Sequence, residues 1–406
     1  MEILLDIDGF FGPDNIEKEY MQVQRELISF VDEKQPFGTL FEQYYLGFRS
    51  AMFICEETIE NESEAKEVLQ TYREACLHSA MGYMKNHVES KPPLPVDFMW
   101  IVREAIISEL KEEFPEVSNI KLQLSMKPKL SARTIDNNTI VFPALARTIA
   151  AHCNLEIINS VFRAIDDGGQ LVGDVDRRQV ARFIFPYLLF CHDDFSVRNL
   201  PIIGAHSQDA LSIAMQFTNL QMVFIFAHEY AHILLQHFDE IRTNLNRKEN
   251  MENEADALAL KVVLAYVKKS NGVYSKFDVF TAIRWLFKYQ LIDSSISTLI
   301  QRKSLEFSDS KTEERRGIFQ LELMKNHGLK GSTLLDAVGF SMIVELQGIL
   351  YESGSDLIGN MIDTFHKSSQ TGKIEPWWEQ INGKEYSPGQ LSNLVELFNK
   401  SRIQEE

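Results

Sequence analysis

The sequence predicts a mainly α protein of the α+β class, with a small β-sheet set among helical regions. Three observations carry this reading. Apolar residues recur at three- and four-residue spacing along most of the chain, as in EKEYMQVQRELISFV. Strict alternation appears only between Ile120 and Phe142, in IKLQLSM and the β-branched run NTIVF. The composition, 45% hydrophobic and 24% charged over 406 residues, excludes wholesale disorder and allows two or three units.

Taken in order, residues 1–95 form a helical N-terminal region, with helical periodicity strongest from Asp14 and again from Glu62 to His87. KPPLPVD (Lys91 to Asp97) cannot continue a helix, which sets a hinge and opens a second unit, residues 96–330. That unit begins with a helix from Phe98 to Glu113. Two or three strands follow, with Asp136, Asn137 and Asn138 as the turn and Thr139 to Phe142 as either an edge or an internal strand. Helices are expected from about Ala144 to Ile165 and again up to Phe190, separated by the loop DDGGQLVGD. That loop lacks the GxxxxGK[ST] spacing of a phosphate cradle. Ser207 is placed to cap a long helix running to His237, and another helix spans about Glu249 to Lys269. Residues 331–406 form a helical C-terminal region, in which Trp377 and Trp378 read as packing residues.

Charge and cysteine usage narrow the function. The net charge of −17 disfavours a phosphate backbone as partner, so no nucleic acid is expected. Cys55, Cys76, Cys153 and Cys191 stand far apart without a CxxC pair, which points to buried thiols in a reducing compartment. MEILLDIDGFFGPD has acids where a signal peptide needs a basic region, and no uninterrupted apolar run reaches 18 residues. The expectation is a soluble, cytoplasmic protein without a transmembrane segment.

The chemistry concentrates in AHEYAHILLQH, residues 227–237. On a helix, His228 and His232 lie one turn apart on one face and can present two imidazole nitrogens to one metal ion. Glu229 then sits where a carboxylate can take a proton from an activated water. Burying two histidines and a glutamate among MVFIFA and ILL without such a partner would cost several kcal/mol. A third ligand is expected from Met251-Glu252-Asn253-Glu254-Ala255-Asp256. Glu252 is favoured over Glu254 because Asp256 stands one turn further along the same face, where it can hydrogen-bond the far nitrogen of a ligand histidine. Zn2+ is the expected ion.

HExxH followed about twenty residues later by an ExxxD helix resembles the gluzincin zinc metallopeptidases. HEYAHILLQH with ENEAD is similar to the branch that holds the CAAX-prenyl endopeptidases, the bacterial heat-shock membrane protease and their soluble relatives. His237 matches a further histidine common in that branch, and Glu252, Ala255 and Asp256 match its ExxAD helix. The resemblance covers roughly residues 207–317. It implies a zincin-like catalytic core and a family segment that here reads Asp309-Ser310-Lys311-Thr312-Glu313-Glu314-Arg315, placing Arg315 near the site as a catalytic residue. The family's His-Pro in that segment is replaced.

The resulting expectation is a zinc endopeptidase acting on a protein or peptide substrate. Zinc is held by His228, His232 and Glu252, with Glu229 as general base. Arg315, Arg316, Tyr230 and His206 are the candidates for a further donor to the oxyanion. Two alternatives remain. One is a helical interaction or sensor protein whose zinc site does not cleave, with a regulatory partner bound through its helical flanks; the other is a purely structural helical protein without metal.

Overall fold

The computed structural model describes residues 4–6, 98–125, 129–143, 146–164, 177–192, 203, 206–237, 248–270, 272–302, 305, 317, 320–329 and 333–371. The helices, hinge and loop expected within residues 1–97 and 166–174 lie outside these residues, apart from 4–6, as do Arg315, Arg316, Cys55, Cys76, Trp377 and Trp378. The described chain is mainly helical with one small mixed sheet, as the sequence predicts.

The sheet consists of β1 (Leu4–Asp6), β2 (Lys121–Ser125), β3 (Arg133–Asp136) and β4 (Thr139–Pro143), in the order β1-β2-β4-β3. β4 is therefore internal, paired in parallel with β2 and antiparallel with β3, and every one of its residues is buried. Among the described residues, the edge on this side belongs to β3. An Asx turn in which Asp136 Oδ1 accepts from the Asn138 N–H (2.8 Å) closes the β3–β4 hairpin. A register irregularity between Thr134 and Asp136 gives β3 the kink of a bulge.

The helices are α1 (Phe98–Leu110), α2 (Ala146–Ala164), α3 (Arg177–Leu189), α4 (Gln208–Leu234), α5 (Lys248–Lys269), α6 (Lys276–Arg302) and α7 (Leu334–Thr371). A short 3-10 turn, Pro115–Asn119, joins α1 to β2. α4 is the axis of the fold: at 1.5 Å per residue its 27 residues span about 40 Å, and α2, α5 and α6 pack on it. Ser207 caps it as expected, its side chain accepting from the Ala210 N–H (3.1 Å).

Two kinds of contact fix α4 in place. Phe142 of β4 stacks on Phe226 (centroids 4.1 Å apart), seating the sheet against the helix. A buried amide knot ties three helices together: Asn154 Nδ2 donates to Thr218 Oγ1 (2.9 Å) and Gln221 Oε1 (2.8 Å), and Gln221 Nε2 donates to the Ala282 carbonyl (2.9 Å). α7, from the region beyond residue 331, packs on α2, α3 and α6 and shares their hydrophobic core. Its Asp336, fully buried, accepts from Arg284 Nη1 (2.7 Å), and a Cβ added at Gly339 would lie 2.2 Å from Trp285 Cζ2, so only glycine permits this approach of α6 and α7.

By length and composition, Asp209–Leu234 and Leu334–Lys367 are apolar enough to cross a membrane, with 67% and 44% of their most apolar windows buried inside the fold. Neither holds an unbroken apolar run of 18 residues; a mean over a window tolerates scattered polar residues. The first is the core helix that carries the candidate site.

Candidate metal centre

The site is built where the C-terminal end of α4 meets the start of α5. His228 and His232 fall one turn apart on α4, and their Nε2 atoms face each other at 3.0 Å. Glu252, in the second turn of α5, brings Oε2 to 3.4 Å from His228 Nε2 and Oε1 to 3.8 Å from His232 Nε2. One donor atom from each of the three residues lies within 4.8 Å of the others, so this group could hold a metal ion.

The donor chemistry fits a cation. Asp256 Oδ1 lies 2.9 Å from His228 Nδ1, which favours the proton on that nitrogen and leaves the Nε2 lone pair facing the centre. His232 Nδ1 is 3.0 Å from His237 Nδ1, and His237 Nε2 is 3.1 Å from Glu254 Oε2. A proton on each of His237 Nε2 and His232 Nδ1 satisfies this chain from the carboxylate inward, again leaving Nε2 of His232 for the centre. Two lone pairs 3.0 Å apart beside a carboxylate repel one another unless a cation or proton lies among them. With two imidazoles and one carboxylate, a borderline divalent ion suits the set.

The local chain explains why each group arrives. α4 ends at Leu234, short of the His237 expected from the sequence, and its C-cap Leu235 donates its N–H to the Ala231 carbonyl (2.9 Å). Gln236 then takes φ 59°, the left-handed turn usually left to glycine, and this reversal folds His237 back against His232. On α5, Glu252 and Asp256 share a face toward α4. Glu254 points instead to His237, so the glutamate choice left open by the sequence corresponds to two different positions around the same pair of histidines. Asp256 is fully buried, and its Oδ2 accepts from Gln320 Nε2 (2.7 Å).

Glu229 sits beside the trio. Thr134 Oγ1, from the edge strand β3, donates to Glu229 Oε2 (2.9 Å). Burial pushes the Glu229 carboxyl above its ordinary range, against the pull of His228 and the Thr134 hydroxyl. Both face a cleft of about 430 Å³ lined by the 130–134 segment on one side, α4 as floor with Phe224, His228, Glu229 and His232, and Gln290, Asp293 and Ser294 of α6 on the other. Glu252 of α5 also lines it.

Of the other sequence candidates, Tyr230 is fully buried in the core and His206 is exposed near Phe162 of α2; neither lines the cleft. Arg315 lies outside the described residues. Cys153 and Cys191 are buried free thiols with ionisation pushed up by burial, as inert core cysteines would be. Thr134, Gln320 and Asp293 were not singled out from sequence. Thr134 stands 95 residues from Glu229, and Gln320 stands 64 residues from Asp256, so no local spacing announces either pair. No family model, curated protein or solved structure matches this chain.

Proposed function

We propose that the protein is a zinc-dependent endopeptidase that hydrolyses a peptide bond in a protein substrate. The observation that carries this reading is the convergence of His228, His232 and Glu252 in a cleft that also exposes Glu229 and is bounded by the β3 edge. His228, His232 and Glu252 would hold the zinc ion, which when bound would supply Lewis acidity to a substrate carbonyl and to the attacking water. Glu229 takes the proton of that water and delivers it to the leaving amine, the two halves of general acid–base work. Thr134 holds the Glu229 carboxylate in one rotamer, so the base does not have to be oriented during the reaction. Among the described residues no strand pairs with the outer side of β3, whose backbone then offers hydrogen bonds to an extended peptide laid along the cleft.

The test is Glu229→Gln, which keeps the shape of the side chain and removes its basicity. Proteomes of cells expressing the wild type and the variant are compared for new termini, alongside elemental analysis of both purified proteins. The expected result is equal zinc content, with cleavage lost by a factor of about 10² to 10⁴. Equal biological effect from both proteins sinks the peptidase reading and leaves a zinc-containing interaction or sensor protein. Absence of zinc, with another divalent ion in its place, changes the metal and not the site.

A further inference from the structure

The wall of the cleft opposite β3 carries a feature that the hydrolytic chemistry does not use. Gln290, Asp293 and Ser294 stand at i, i+3 and i+4 on α6, so they share one face, and all three line the cleft. Tyr289, Ile292 and Ile296, on the other side of α6, are buried in the core. Asp293 is held from behind: its Oδ1 lies 2.7 Å from His192 Nε2, and its side chain is 18% exposed. The other charged or ionisable groups lining the same cleft are Glu229, Glu252, His228 and His232 of the metal centre and Arg133 of the 130–134 segment, while Lys129 donates to the Cys191 carbonyl.

We propose that this face is a subsite for a primary ammonium group of the peptide, supplied by a lysine side chain or by a free α-amine, with Asp293 as the specificity-determining residue. The inference rests on the peptidase reading of the neighbouring metal centre. An ammonium group offers three N–H donors, and the face offers three kinds of acceptor: a carboxylate, the Gln290 amide oxygen and the Ser294 hydroxyl. A half-buried carboxylate has lost part of its hydration, so a cation that replaces that water is bound more strongly here than on an open surface. Arg133 also lines the cleft and disfavours a cation on the 130–134 segment, and Glu229 and Glu252 are committed to the metal centre, which leaves Asp293 as the carboxylate for a cationic group of the peptide.

The experiment uses the full chain carrying Glu229→Gln, loaded with zinc, so that binding is read without cleavage. Acetylated and amidated alanine octapeptides carrying one lysine, or one norleucine at the same place, are titrated by calorimetry. A second arm compares the norleucine peptides with a free and with an acetylated N-terminus. The expected result is about tenfold or greater tighter binding of the ammonium-bearing member in one arm, and that arm identifies the source. Asp293→Asn removes the preference and leaves norleucine binding unchanged. Gln290→Lys does the same by placing a resident ammonium one turn away, without disturbing the His192 pair. Peptides that bind without preference, or a preference that survives both variants, overturn the subsite alone. If no peptide binds at all, the peptidase reading falls and the subsite with it.

Discussion

The two imidazoles of the centre do the same job in different surroundings. His228 is backed by Asp256, which is fully buried and fixed by Gln320. His232 is backed by another imidazole, His237, and the carboxylate beyond it, Glu254, has a side chain 52% exposed. One support is a single carboxylate in a low-dielectric interior; the other is a two-step chain ending in water. Electrostatic support falls with both distance and solvent screening, so the inner side should hold its histidine far more firmly than the outer side.

The largest effect should come from Asp256→Ala. Zinc affinity, measured by competition with a chromophoric chelator, should fall by about 100-fold, the upper end for loss of a ligand's supporting carboxylate. The fold itself should lose about 1–3 kcal/mol, because Gln320 is left buried without its acceptor. His237→Ala should weaken zinc binding by about tenfold, since His232 keeps its place on α4 and loses only the partner that sets its tautomer. Glu254→Ala should cost about threefold or less and should shrink further in high salt, as expected for an exposed carboxylate. If Glu254→Ala matched Asp256→Ala, the outer chain would be conducting charge as strongly as a direct contact, and the asymmetry would be broken.

A fourth measurement sharpens the contrast from the backbone side. Gln236 holds the left-handed turn that delivers His237. Gln236→Gly should keep zinc affinity and change stability by about 1 kcal/mol or less, because glycine relieves the strain of that conformation and adds unfolded-state entropy. A β-branched residue there, Gln236→Val, should shift the turn and reproduce the His237→Ala defect. A variant indistinguishable from wild type in zinc binding would show that His237 does not depend on this turn.

Much of the centre was legible before any fold was known, and the reason is locality. His228, Glu229 and His232 lie within five consecutive positions of one helix, and Glu252 with Asp256 within five of the next, so helical periodicity alone puts each set on one face. Ser207 announced its helix through capping chemistry that acts over three residues. The strand alternation from Ile120 to Phe142 gave β2, β3 and β4 but not β1, whose three residues lie in the stretch 1–95 read as helical and are too few to show a period; it also left open whether Thr139 to Phe142 lay at an edge, because pairing partners are set by distant backbone and not by the pattern within a strand. The structure makes it internal and gives the edge to Arg133–Asp136.

The sequence by itself determined the helical character, the small sheet and the two short motifs in which the donor groups sit, since each follows from the period of the backbone over a handful of residues. The tertiary structure decided how those motifs meet: Glu252 rather than Glu254 beside the two Nε2 atoms, Thr134 on the base, Gln320 beneath Asp256, and an acidic face of α6 across the cleft. These pairings join residues tens of positions apart. They arise because α4, apolar on nearly every side, must be enclosed by β4, α2, α5 and α6 together, and that packing fixes which polar side chains are carried into the cleft.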